Sequence, residues 1–210
     1  MQQGTEEWVA ARLGKVTASR VKDVMSKGRG SAPSATRKNY MMELLCERLT
    51  GAQSGPDLSR NAAVQRGVEK EPLARSAYEV DQGVMIIEAG LIDHPRIKGF
   101  GASPDGLVGA KGLIEIKCPN TAQHIAVIQA GEHDGQYEWQ MLAQMACTGR
   151  DWVDFVSFDD RMPEALQYQR CRFERDEKRI REMESEIKEF LAELDELEQE
   201  MRHRMEGKAA

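Results

Sequence analysis

No stretch of the sequence approaches the roughly 18 consecutive apolar residues that a membrane-spanning helix needs. The N-terminal segment also lacks the apolar core of a secretory signal. The four cysteines, Cys46, Cys118, Cys147 and Cys171, lie far apart and form no CxxC pair, which argues against a thiolate metal site and a disulfide framework. His94, His124, His133 and His203 show no ligand spacing, so no zinc site is expected. Positive charge is not in excess either. A formal net charge of −6 disfavours a general polyanion binder, but leaves room for an enzyme whose cations line one groove. There is no internal repeat of domain size. These absences point to a protein of the reducing cytosol with no membrane partner.

What remains is 210 residues, enough for one domain with a real core. Apolar spacing predicts a helix over about Glu6–Leu13 and a second from near Thr17, with Thr17 or Ser19 as its cap. Residues 26–35 read as a Gly/Ser/Pro loop carrying Lys27 and Arg29. "TRKNYMMELLCERLTG" is an amphipathic helix ended by Gly51. The next helical stretch is expected to break near Gly67 and resume through Glu71–Val80, with Pro72 in a first-turn position. Short apolar runs punctuated by Gly, Pro and Asp then mark a strand meander from residue 84 to 119. One helix ("QYEWQMLAQMACTG") and two strands ("WVDFVSFD", "LQYQRCRFE") follow. From about Asp176 the chain is charged, with Ile180, Ile187, Leu194 and Met201 seven apart and Met183, Phe190 and Leu197 between them. The reading is an α/β domain with a central mixed β-sheet flanked by helices. Residues 1–175 form the main unit. Residues 176–210 form a long C-terminal helix, either part of that domain or a contact for a subunit or partner.

One stretch carries chemistry: "GASPDGLVGAKGLIEIKCPN". In a strand "LIEIK", side chains alternate, so Glu115 and Lys117 share one face and Ile114 and Ile116 the other. "SPDGL" has turn chemistry, with Pro104 and Gly106 flanking the acid. A hairpin through "GLVG" then brings Asp105 alongside Glu115. Two adjacent carboxylates repel unless a cation lies between them. A hard divalent ion resolves the conflict, and supplies an acidified water and a charge sink for a phosphoryl oxygen. Lys117 would sit within reach of the developing negative charge. Charge inside an apolar strand is costly, which favours this reading over a solvated hairpin.

These residues resemble the PD-(D/E)xK nuclease core, with Pro104-Asp105 and Glu115-Ile116-Lys117 as its halves. More narrowly, "EEWVAARLGKVTAS", "RGVEKEPLARSAYE", "GASPDGL", "LIEIKCP", "YEWQMLAQM" and "FDDRM" occur in the order of the lambda-type phage exonucleases, the YqaJ-like viral recombinase family, over about residues 4–175. The resemblance implies a Mg²⁺-dependent enzyme, with Mn²⁺ as substitute, that digests one strand of linear duplex DNA processively from 5′ to 3′. It leaves 3′ overhangs for recombination by strand annealing, in the bacterial host cytosol. The family also implies a homotrimer ring around DNA and a single-strand annealing protein as partner.

Carried over by position, Asp105 and Glu115 become metal ligands, the Ile116 carbonyl a third, and Lys117 the catalytic lysine. Glu71 matches an acid that a helix adds to the site, for a second metal or a water. Gln140 matches a glutamine that positions the lysine or a water. Arg12, Ser19 and Ser103 match a grip on the 5′-terminal phosphate. Lys27 and Arg29 would track DNA, and Val64 would part the terminal base pair. Read without the resemblance, Glu71 is a first-turn acid, Gln140 a surface residue, and Arg12 a cation at a helix C-terminus. Trp8, Trp139 and Trp152 read as packing anchors. The alternatives are a PD-(D/E)xK endonuclease of restriction or junction-resolving type, a non-catalytic DNA-end binder, and a helical scaffold organised by the C-terminal coil.

Overall fold

The computed structural model describes residues 2–28, 33–55 and 61–207. In chain order these form α1 (Glu6–Arg12), β1 (Val16–Thr17), a 3₁₀ turn (Ala18–Arg20), α2 (Val21–Val24), α3 (Ala35–Thr50) and α4 (Ala62–Gln82). Strands β2 (Ile86–Ile87), β3 (Ile92–Asp93), β4 (Phe100–Ala102), β5 (Gly106–Val108) and β6 (Gly112–Lys117) follow. Then come helices α5 (Thr121–Ala130) and α6 (Glu138–Thr148), strands β7 (Trp152–Phe158) and β8 (Tyr168–Glu174), and the long α7 (Glu177–Glu206).

The mixed β-structure expected from the sequence is present, but as two sheets. One has five strands in the order β2-β5-β6-β7-β8, the other three in the order β1-β4-β3. In the larger sheet only β6 and β7 run parallel. A parallel pair needs a long crossover, and here it contains α5 and α6. Apolar spacing predicts one helix between these strands, where the structure has α5 as well. Its start and stop signals are ordinary: Asn120 accepts a hydrogen bond from the Gln123 N–H, and Gly131 closes the helix in the left-handed region.

Helix α4 corrects a second expectation. It runs unbroken for 21 residues through both Gly67 and Pro72. Pro72 removes the donor for the Val68 carbonyl, but Val68 is 70% exposed, so water can replace it. The expected caps at Thr17 and Ser19 are absent too. Thr17 makes no capping bond, and α2 is a short helix entered from Arg20. Strand pairing explains this: Val16 and Thr17 lie in register with Phe100 and Gly101 of β4, so the sheet claims them first.

The larger sheet has two covered faces. Leu113, Val153 and Phe155 join Met141, Leu142 and Met145 of α6 in the main core. On the other face Ile114, Ile116 and Val156 pack with Ala74 and Tyr78 of α4. Burying each such large side chain stabilises by about 1.5–3 kcal/mol.

The seam of α7 is buried inside this chain: Ile180, Met183, Ile187, Phe190 and Leu194 belong to the main core, and Leu197 and Met201 pack against it. The Tyr40 ring of α3 stacks on Phe190 at 5.7 Å. Two of the histidines are buried core residues: His94 hydrogen-bonds Glu184 at 3.1 Å, and His124 sits between Ser157 and the Leu166 carbonyl.

Candidate active site

The hairpin of β5 and β6 sets Gly106 opposite Ile114 and Val108 opposite Gly112. Continuing that register places Asp105 opposite Glu115, as the sequence spacing predicts. Gly106 is required by close approach, since a Cβ there would collide with Ile86 of β2. The turn is tied down by Asp105 itself, whose Oδ2 accepts the Ile116 N–H at 2.6 Å. In an extended strand the N–H and C=O of one residue lie on the same edge. The Ile116 carbonyl therefore shares the edge that carries Asp105.

Glu115 has no solvent exposure. Its Oε1 accepts from Lys117 Nζ at 2.5 Å and from Gln140 Nε2 at 2.6 Å. Its Oε2 accepts from Gln144 Nε2 at 2.5 Å. The Lys117 ammonium also lies 4.8 Å from the centre of the Tyr137 ring, a cation–π arrangement that holds it without spending a carboxylate.

The charges at this corner do not balance. Burial pushes the Asp105 carboxyl well above the usual carboxylate range, and the Glu115 charge adds to the push; Lys117 only partly offsets them. For Lys117, burial alone would weaken the ammonium. The Glu115 and Asp105 carboxylates outweigh burial and raise its pKa, so it stays charged.

A divalent cation fits this donor set. Both acids present hard oxygens, and a cation between them would relieve the repulsion that raises Asp105. Among the described residues no three His, Cys, Asp or Glu side chains converge closely enough to hold an ion. An ion here would rest on two carboxylates and the Ile116 carbonyl, with water or phosphate completing its shell, as suits Mg²⁺. Glu71 faces the same cleft and its charge adds to the upward push on the Asp105 carboxyl, but its carboxylate is held by Arg75 at 2.6 Å.

The corner opens into a cleft of about 860 Å³, which also receives Arg12, Ser19, Ser103 and Val64. The Arg12 guanidinium lies over the Trp8 ring at 4.1 Å. Its pKa is lowered, first by burial, with Tyr40 and Glu47 acting against that. Trp8 Nε1 donates to Ser103 Oγ at 3.0 Å, fixing the serine that precedes the Pro-Asp turn. Trp8 is thus part of the cleft wall. Val64 is 41% exposed on the first turn of α4. Lys27 is exposed on its loop and does not line the cleft. Arg29 lies outside the described residues.

Sequence reasoning missed Tyr137 and Gln144. The signal was available: Tyr137, Gln140 and Gln144 are spaced i, i+3, i+7 and so share one helical face. Gln140 donates to Glu115 Oε1, the same oxygen that accepts from Lys117.

Residues 7–151 match the YqaJ-like viral recombinase domain. An alkaline exonuclease (LHK-Exo) from Laribacter hongkongensis is similar at 56% identity with a TM-score of 0.89, over 98% of this chain and 100% of that one. The same exonuclease in complex with dAMP matches with the same figures. A phage-related exonuclease from Haemophilus somnus 129PT has a TM-score of 0.67 at 18% identity, over 91% of this chain and 96% of that one, which is a likeness of fold. The curated proteins give no match. The fold is that of the alkaline exonuclease, of PD-(D/E)xK type.

Proposed function

The chain belongs to the YqaJ-like viral recombinase family, and on that premise we propose that it is a Mg²⁺-dependent exonuclease that digests one strand of linear duplex DNA from 5′ to 3′. The observation that carries the polarity is Arg12. Its guanidinium has a stacking partner but no ion pair among the described residues, and it shares one cleft with Ser19, Ser103 and the Asp105/Glu115/Lys117 corner. A partly buried cation beside two hydroxyls suits a terminal phosphate.

Asp105, Glu115 and the Ile116 carbonyl would hold the ion. When bound, Mg²⁺ supplies an acidified water and withdraws charge from a phosphoryl oxygen. Lys117, released from Glu115, turns its ammonium toward the negative charge that develops on the phosphate. Gln140 and Gln144 keep Glu115 in place, and Tyr137 keeps the ammonium close. After each cut a new 5′ phosphate becomes available to Arg12, which draws the strand forward by one nucleotide. Val64, exposed on the first turn of α4, would press on the terminal pair, and Glu71 would take a second ion or a water once Arg75 releases it.

Processive digestion then follows from three copies encircling the duplex. Val80, Met85 and Ile87 are 85%, 84% and 65% exposed around the turn from α4 to β2, an apolar corner suited to the subunit contact. The product is a 3′ overhang that a single-strand annealing protein takes up in the host cytosol. No helix among the described residues is long and apolar enough to cross a membrane.

End-labelled linear and covalently closed duplexes, each with Mg²⁺ or EDTA, test this reading. Only the linear duplex with Mg²⁺ should be shortened, faster with a 5′ phosphate than a 5′ hydroxyl. Arg12→Ala should abolish that preference. Cleavage of the closed circle would establish the endonuclease alternative.

A further inference from the structure

Helix α6 buries seven consecutive residues, Met141 to Cys147, and Gln144 is the one strongly polar side chain among them. It is sealed from solvent, and its Oε1 has no hydrogen-bond donor among the described residues. A buried acceptor left without a partner costs about 1–3 kcal/mol, so packing does not account for a glutamine there; Met or Leu fills such a site at less cost. What the amide does is donate to Glu115 Oε2 at 2.5 Å. One turn earlier on the same helix, Gln140 donates to Oε1 at 2.6 Å. Two amides therefore grip the two oxygens of one carboxylate and fix its plane.

The two grips are not equivalent. Oε1 is bound by Lys117 and Gln140, both of which line the cleft; Oε2 has, among the described residues, only Gln144, which does not line it. A cation that takes up Oε1 displaces the ammonium, and Glu115 then depends on the amides to keep its orientation. We propose that Gln144 is a positioning residue for divalent-metal loading, holding Oε2 inside so that Oε1 is presented to the ion. This rests on the metal-dependent reading above, and it assigns Gln144 a task distinct from that of Gln140. Without the Oε2 donor the carboxylate is free to rotate, and it presents the ion with mixed geometries.

The test is Mn²⁺ titration calorimetry on the full chain, comparing the unaltered protein with Gln144→Met, which keeps the volume and removes the donor. Outer-shell partners of metal ligands typically contribute about 10–100-fold in affinity. The Kd for Mn²⁺ should rise by about that factor. The Mg²⁺ concentration for half-maximal digestion should rise in parallel, with the rate recovering toward that of the unaltered protein as Mg²⁺ is raised. Binding of duplex ends in EDTA should not change. Should Gln144→Met fail to fold, Gln144→Asn carries the same expectation, because its shorter arm withdraws the amide from Oε2. A Kd within about twofold of the unaltered protein, in a variant with an intact melting transition, overturns the inference and leaves the nuclease reading standing. An unaltered protein that takes up no Mn²⁺ overturns both.

Discussion

Glu115 on β6 and Asp154 on β7 are neighbours in one sheet, and neither has any solvent exposure. They point to opposite faces, because Asp154 lies in register with Ile114 and Glu115 with Phe155. Their surroundings differ in kind. Asp154 accepts from the Tyr78 hydroxyl at 2.8 Å, from Arg172 at 2.8 and 3.0 Å, and from Arg170 at 3.4 Å. One acid there faces two cations, and α4 lies across it. Asp159 is closed in the same manner by Arg161, Arg66 and Thr121. At the cleft, two acids share one lysine, and neutral amides hold what the lysine does not. The structural acids are over-compensated, whereas the acids proposed to work at the cleft are left short of positive charge where a ligand can enter.

The largest expected effect removes the cation that pairs with Glu115 at the open corner. Lys117→Ala should lower DNA digestion on the order of 10³-fold while Mn²⁺ binding persists, read by single-turnover digestion beside calorimetry. Retained turnover would place Lys117 with the structural cations and erase the contrast.

The next effect is one of sign. Asp154→Asn should destabilise the fold by roughly 2 kcal/mol, below the figure for a fully enclosed pair because Arg172 is partly in water. Asp105→Asn should instead raise metal-free stability, because it removes the repulsion from Glu115 and keeps an acceptor for the Ile116 N–H. It should abolish digestion. Urea unfolding in EDTA reads both changes, and a loss of stability in Asp105→Asn would break the comparison.

The smallest effect concerns Asp159. Burial pushes its carboxyl up, but hydrogen bonds from Arg161 and Thr121 outweigh this and hold it well below the usual range. A lowered carboxyl stabilises the fold above its unfolded value, about pH 3.9, and that contribution is lost as pH falls through the lower folded value. Asp159→Asn should cost about 1 kcal/mol at pH 7, limited because Arg161 is half in water, and should flatten the acid limb of the stability curve. An unchanged acid limb would show that this acid is not compensated as Asp154 is.

The convergence of Asp105, Glu115 and Lys117 was legible because its signal is local. A two-residue period puts Glu115 and Lys117 on one face, and a Pro/Gly turn returns Asp105 beside them. The shared cleft of Arg12 and Ser103, the proposed phosphate grip, was legible only through resemblance, since the two are 91 residues apart and no periodicity joins them. Helix α5 lies outside the elements expected from apolar spacing, although its caps, Asn120 and Gly131, are present in the sequence. The break expected in α4 failed because the cost of Pro72 depends on whether Val68 meets water, which is a tertiary matter.

The sequence by itself determined the alternation on β6, the turn at Asp105, the amphipathic seam of α7 and the donor types at the corner. These follow from backbone period and side-chain chemistry within a few residues. Only the tertiary structure decided which charges are answered. Compensation of a buried acid depends on which elements lie across it, and arginines on β8 reach Asp154 while amides on α6 reach Glu115. Coulombic and desolvation effects act over a few ångströms in space, whatever the separation along the chain.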